Sequence, residues 1–301
     1  YDTDRRRRQS ASACRPVAGS AAAGGGTGSR RESGKGKGPM FGAILGDIAG
    51  SRFEFSRPKS FNYRKEPFFT DACCFTDDTV LTVATKYAVL NGCSYRNAYL
   101  EFGRKFPLAG YGAMFKRWLE AGGAAAYRSY GNGSAMRVSF IGEYFPTLER
   151  VREQAQSSAL CTHNHPEGIK GAEATAVCIY LARTGCSKKE IRTYIEKNYQ
   201  YRLGRPLALL RPFAKVDMSC QVSVPLAIRC FLESHSWESC IRNVYSVRCD
   251  TDTVGAIAGS IAEAFYHGTG QDDLALTRRY LALPDAYGCQ DMTLFNWATM
   301  N

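Results

Sequence analysis

The sequence predicts an all-α protein built as one compact helical domain, and three observations carry that expectation. From Met40 onward, apolar residues recur at helical spacing in one segment after another. No run of alternating apolar and polar residues long enough for a convincing strand interrupts them, and no internal repeat of fixed period is present. The links between segments are short, as in helical packings around one core. The chain has 301 residues, of which 45% are hydrophobic, 12% aromatic and 22% charged. That is enough apolar material for a substantial core and too little charge for a disordered polyelectrolyte. The longest near-continuous apolar run, 172–182, is broken by Glu173 and Thr175. It falls short of the roughly 20 residues that cross a bilayer, so a membrane-spanning protein is excluded. A disulfide mini-protein and a coiled coil are excluded as well.

The elements follow in order. Residues 1–39 form a basic flank rich in Gly, Ser and Ala; up to residue 40 there are nine Lys/Arg against three acids, so +6 of the formal charge of +11 lies there. Such tails can hold nucleic acid, but this one lacks aromatics apart from Tyr1 and has nothing to offset the cost of ordering. It is read as a disordered flank, and no nucleic-acid partner is expected. Its acid-poor, Arg- and Ser-rich composition is also that of an organelle transit peptide. No apolar secretory segment is seen, and the twelve cysteines are scattered without zinc spacing. Most read as small core hydrophobes, so a reducing, cytoplasmic setting and a monomer are expected. Met40 is taken as the start of the working domain, 40–301.

Residues 41–49 form the first helix, with Gly42, Gly46 and Gly50 at intervals of four. Glycine weakens a helix, so this bare face predicts a close neighbour. Residues 53–74 read as a long loop. Residues 80–88 carry a helical apolar face, and Ser94 can cap a helix over 95–106. A short helix follows around 114–119, then a Gly/Ala/Tyr-rich loop over 121–133. Residues 168–183 are almost wholly apolar and predict a buried central helix. Ser187 opens an amphipathic helix to Tyr199, and 203–213, with two prolines, is a connection. Helices over 219–232, 236–247 and 253–267 complete the series.

Two acidic knots carry the chemistry. One is Thr76-Asp77-Asp78; the other is Asp250-Thr251-Asp252-Thr253. Each precedes an apolar helix, so each can be a helix cap. Two such knots far apart in sequence also suit hard divalent cations, which take carboxylate and hydroxyl oxygens. If the knots face one another, a cation offsets their repulsion. Neither contains His or Cys, which argues against zinc, copper or iron–sulfur. The segment Ser129-Tyr130-Gly131-Asn132-Gly133-Ser134 is either a tight turn or a backbone cradle for an anion such as a diphosphate. His163 and His165 form a local pair that suits a turn or a core hydrogen bond better than a metal.

Taken together, these motifs resemble the ADP-ribosylglycohydrolase family, in order, over about residues 41–267. Gly42-Ala43-Ile44-Leu45-Gly46-Asp47 is similar to the family's first helix. Phe75-Thr76-Asp77-Asp78-Thr79 and Asp250-Thr251-Asp252-Thr253-Val254-Gly255 resemble its two metal motifs. Gly110-Tyr111-Gly112, the 129–137 loop and Thr162-His163 resemble its ADP-ribose contacts. The resemblance implies an orthogonal all-α fold and a metal-dependent hydrolase that removes ADP-ribose from modified side chains or other ADP-ribose conjugates by cleaving the C1″ bond. It implies two Mg²⁺ ions, with Mn²⁺ as the alternative, held by Thr76, Asp77, Asp78, Asp250, Asp252 and Thr253. Glu54, Asp77 and Asp78 are the implied catalytic groups. Gly110, Gly112, Ser129, Tyr130, Gly131, Asn132, Gly133, Ser134 and His163 are the implied substrate contacts, with Tyr130 or Tyr111 stacking on adenine. The alternative is a catalytically silent relative that serves as a crystallin-like scaffold or an ADP-ribose binder.

Overall fold

A computed structural model describes residues 40–284 and 290–300. The basic flank 1–39 lies outside the described residues. Within them the chain forms α1 (Phe41–Ser51), α2 (Asp77–Asn91), α3 (Tyr95–Lys105), α4 (Ala113–Glu120), α5 (Ser139–Tyr144), α6 (Leu148–Leu160), α7 (Pro166–Arg183), α8 (Lys188–Tyr199), α9 (Leu207–Leu210), α10 (Cys220–Leu232), α11 (Trp237–Tyr245), α12 (Thr251–Tyr266), α13 (Asp273–Leu281) and α14 (Thr293–Thr299). A tight helical turn, Asn132–Ser134, precedes α5. The β structure among the described residues is a two-residue antiparallel pair, Leu283–Pro284 with Gln290–Asp291, and one isolated antiparallel bridge, Gly131 with Ser219. The fold is all-α, as expected.

Local chemistry sets several helix starts. Ser94 accepts from the Asn97 amide, and Ser187 forms a reciprocal capping box with Glu190. Ser236 does the same with Ser239. These caps satisfy amides that have no partner inside the helix. The central helix α7 is buried along most of its length, as its apolar sequence requires. No strong pattern in the sequence marks α5, α6, α13 or α14. In α6 the buried stripe is Val151, Ala155 and Ala159, three small residues among polar ones, which is too weak a pattern to stand out. The proline connection at 203–213 contains the short α9 and one further helical turn, Arg211–Phe213.

The pair α1–α12 positions the rest. A methyl group added at Gly46 would overlap the backbone carbonyl of Gly255, and one added at Gly255 would overlap the carbonyl of Gly46. Gly42 and Gly259 meet in the same way, and Gly50 meets Thr251 and Asp252. The close neighbour expected from the glycine spacing is therefore α12, running antiparallel. With no side chains between them the two backbones touch, and the C-terminal end of α1 lies against the first turn of α12. Around this pair pack α7, α10 and α11, so that Ile44, Leu45, Ile48, Val254, Ile257 and Ile261 sit in the fully buried core.

Candidate active site

The register of α1 against α12 brings Asp47 beside the second acidic knot. Asp47 is wholly buried in an otherwise apolar helix. Its carboxylate accepts four hydrogen bonds from the first knot: Thr76 N (2.9 Å), Thr76 Oγ1 (2.8 Å), Thr79 N (3.1 Å) and Thr79 Oγ1 (2.5 Å). Asp47 thus ties the N-terminus of α2 to α1, and α1 is fixed to α12 by the glycine contacts. The two knots consequently meet. Thr253 Oγ1 donates to Asp78 Oδ2 at 3.1 Å across 175 residues of sequence. Carboxylate oxygens of Asp47, Asp78 and Asp252 lie within 4.8 Å of one another, and so do those of Glu54, Asp250 and Asp252. Asp252 belongs to both groups.

Thr76 also caps α2 by accepting from the Asp78 amide. Capping and clustering are both present, and one does not displace the other. No ion pair among the described residues reaches Asp47, Glu54, Asp77, Asp78, Asp250 or Asp252. Burial is the largest influence on each and pushes its pKa up, making it a weaker acid. Asp47 is raised to about 6, Glu54 to about 7 and Asp77 to about 8. Asp78 and Asp252 are raised well above the ordinary carboxylate range, by burial and then by neighbouring carboxylates, Asp47 acting on Asp78 and Asp78 on Asp252. Asp250 is raised less, because Asn132 donates to it. Crowded, desolvated carboxylates repel one another, and a cation is the natural counter-charge. Asp78 Oδ1 and Asp252 Oδ1 are buried and have no hydrogen-bond partner among the described residues. Unpartnered hard oxygens of this kind fit a divalent cation.

The cluster forms the floor of a cleft of about 420 Å³. Glu54, Asp77, Asp78, Asp250, Asp252 and Thr253 line it, as do Gly110, Gly112, Ser129, Gly131, Asn132, Gly133 and His163. The 129–134 loop is pinned from several sides. Ser129 Oγ accepts from Gly131 N, Asn132 N donates to Met218 O, and Asn132 Nδ2 donates to Asp250 Oδ2 at 2.6 Å. The amides of Gly133 and Ser134 take no hydrogen-bond partner among the described residues. A Cβ on Gly133 would stand 3.2 Å from His163 Nε2, so glycine lets the loop approach the imidazole. Burial, and then Arg137, hold His163 well below its ordinary pKa, so it is neutral. Its Nδ1 pairs with Thr162 Oγ1 at 2.8 Å, and Thr162 Oγ1 accepts from Arg137.

Three expected contacts are placed elsewhere. The Ser134 hydroxyl is wholly buried and donates to Gly168 O, where it pins the loop to α7, and Ser134 is not part of the cleft lining. Tyr130 is exposed and meets the edge of His165, outside the cleft lining. Tyr111 is buried against Phe115, and it is Phe115 and Tyr127 that line the cleft. Tyr111 and Tyr130 are therefore not positioned as stacking platforms; aromatics in a loop give no sign of which ring faces inward. Asp47 was legible only as part of the opening motif. A lone carboxylate inside an apolar helix was the signal that could have marked it.

An all-α scaffold in which two acidic helix starts face each other beneath a glycine loop defines the class: a helical protein with an oxygen-lined, cation-type cleft. Comparison with known proteins narrows it. The profile described as ADP-ribosylglycohydrolase matches residues 29–273, and the chain belongs to that family. Its relatives include ADP-ribosylhydrolase ARH3 of Bos taurus, 27% identical over 319 residues, which covers 80% of this chain and 87% of that protein. ARH3 of Mus musculus is 28% identical over 307 residues, covering 76% and 83%. A solved structure titled "ADP-ribosylglycohydrolase-related protein complex" shares the fold, with a TM-score of 0.63 at 19% identity, over 80% of this chain and 90% of that one. No helix among the described residues is long and apolar enough to cross a membrane.

Proposed function

We propose that residues 40–301 are a catalytic domain that removes ADP-ribose from modified protein side chains, or from other ADP-ribose conjugates, by hydrolysing the bond at C1″. The observation that carries this reading is the meeting of both acidic knots and Glu54 in the lining of one cleft that the 131–133 loop also lines, with Asp47 buried against Asp78 and Asp252. The family and the names of its relatives support the same reading.

Asp47, Asp77, Asp78, Asp250, Asp252 and Thr253 would hold two divalent cations, Mg²⁺ or Mn²⁺, with Thr76 acting through Asp47. Bound there, such cations supply Lewis acidity toward the sugar hydroxyls and the attacking water. The protein does the rest. The unpartnered amide of Gly133 would serve the diphosphate, and Phe115 and Tyr127 offer rings for the adenine. Neutral His163 adds a polar contact without adding charge. Glu54 is the carboxylate at the open end of the cluster. It can give a proton to the departing side-chain atom and take one from the water that attacks C1″, ending as it began. Positive charge that builds on the sugar is stabilised by the carboxylates beneath it.

The test is release of free ADP-ribose. The chain is incubated with ADP-ribosylated serine and arginine peptides, with Mg²⁺ or Mn²⁺ and with chelator. Metal-dependent release from at least one linkage supports the reading. Binding of ADP-ribose without turnover at any metal concentration supports the silent-scaffold alternative instead.

A further inference from the structure

A second cavity, of about 270 Å³, lies beside the cleft, and the reaction above leaves it without a role. Glu54 and Phe55 line both spaces, so the two cavities meet at the carboxylate proposed to serve the departing atom. The wall of the second cavity carries two guanidinium groups, Arg57 and Arg248. Arg57 donates to the carbonyls of Tyr245 (2.9 Å) and Val247 (2.6 Å) and to Thr251 Oγ1 (3.3 Å), and no carboxylate pairs with it among the described residues. Arg248 is exposed and has neither a hydrogen bond nor an ion pair among the described residues. Phe55, 79% exposed, and Val216, 41% exposed, stand over the same cavity. Apolar neighbours lower the local dielectric and strengthen a charge pair made there. The space is smaller than the main cleft and suits a few amino-acid side chains better than a second nucleotide unit.

Resting on the hydrolase reading above, we propose that this second cavity receives the acceptor side of the substrate and selects peptides that carry an acidic side chain next to the modified residue, with Arg248 as the group that binds the carboxylate. Arg57 contributes fixed positive charge behind it. The same charge disfavours a basic neighbour.

The experiment compares kcat/KM for matched ADP-ribosyl-serine peptides with Glu, Gln or Lys beside the modified serine, at saturating Mg²⁺ and at low and high salt. The expected order is Glu over Gln over Lys. The Glu-to-Gln ratio should be about fivefold at low salt, the size of one solvent-accessible ion pair. It should shrink as salt rises. Arg248→Ala brings the ratio near one, Arg248→Glu inverts it, and Arg248→Lys retains most of it. Circular dichroism confirms that each variant is folded. Equal rates on all three peptides in the unmodified protein overturn the subsite while leaving the hydrolase reading intact. No hydrolysis of any of these peptides, nor of arginine-linked peptides with the same neighbours, overturns both. If Arg248→Ala slows breakdown of poly(ADP-ribose) and leaves the peptide ratio unchanged, the cavity serves a nucleotide and the proposal falls.

Discussion

The two ends of the α1–α12 pair each bury a carboxylate, and they treat it in opposite ways. At one end Asp47 accepts four hydrogen bonds and lies within 4.8 Å of the oxygens of Asp78 and Asp252. At the other end Glu263 accepts from Gly42 N at 2.7 Å through Oε2, and its Oε1 is buried without a partner. Glu263 is raised to about 8, chiefly by burial, against about 6 for Asp47, whose four donors pull back against the same cause. Neither of the two cavities described above is lined by Glu263, and the carboxylate groups fit to hold a metal all lie at the Asp47 end among the described residues. Burial of an acid is therefore common to both ends and diagnostic of neither. What separates a site from a strut is convergence: several acids from different elements, donors that keep one of them ionised, and an opening to solvent.

The largest expected effect tests that convergence. Asp252 belongs to both carboxylate groups, so Asp252→Asn should lower ADP-ribose release by about a thousandfold, comparable to losing a main electrostatic contact in a transition state. The same change should also remove the rise in melting temperature that Mg²⁺ or Mn²⁺ produces in the unmodified protein by binding the folded state. Glu263→Gln should alter neither. Equal loss of turnover from both variants would mean that the two ends are not distinct.

Gly46→Val comes next. It places a branched side chain where two backbones touch, and denaturant titration should show a loss of about 3 kcal/mol or more, at the upper end for overpacking. Because the register of α1 against α12 sets the distance from Asp47 to Asp252, residual folded protein should also bind metal more weakly. A Gly46→Val protein with full stability would show that the pair can slide without cost, and the account of how the knots meet would be lost.

This contact also shows how much could be read from the sequence. The four-residue glycine spacing announced a close partner but not which helix it was; α12 carries its own Gly255 and Gly259, and the pairing emerges only in three dimensions. The two acidic knots were visible because each concentrates carboxylates at a helix start, and Glu54 was placed by the family resemblance. Asp47 escaped because its role depends on Thr76 and Thr79, some thirty residues away, turning their donors toward it. Ser134 and Tyr130 went astray for a related reason: the sequence says that a loop is there, and not which of its side chains turn inward. Arg248 had no local signal at all, since an unpaired arginine looks like any other until its neighbours are known.

Asp47→Asn should have an intermediate effect. The carboxylate oxygen Oδ2 takes three of the four donors, and an amide nitrogen in either position would face donors instead of accepting from them. Leaving such groups unpaired costs about 2 kcal/mol. Stability should fall by that order while the helix content is kept. A neutral result in chemical denaturation would mean that the N-terminus of α2 is held by something other than Asp47.

The smallest effect lies at the Glu263 end and is a slope, not a loss. In the unfolded chain Glu263 titrates near 4.5; in the folded protein it titrates at about 8. Between those values the folded state holds a proton that the unfolded state has released, so stability declines as pH rises. The contribution is fully present below about 4.5 and is lost once pH passes about 8. Glu143, raised to about 7 by burial, adds a decline of the same sign that ends sooner. Glu263→Gln cannot ionise, so its stability curve should be flatter over this window, with the parts due to Glu143 and to Asp47, Glu54 and Asp77 in the cleft remaining. The variant should match the unmodified protein at pH 4 and exceed it at pH 8.5, as measured by denaturant midpoints across the range. Parallel curves would show that Glu263 is ionised in the folded state and paired by a group at this end of the helices, and the contrast between strut and site would have to be redrawn.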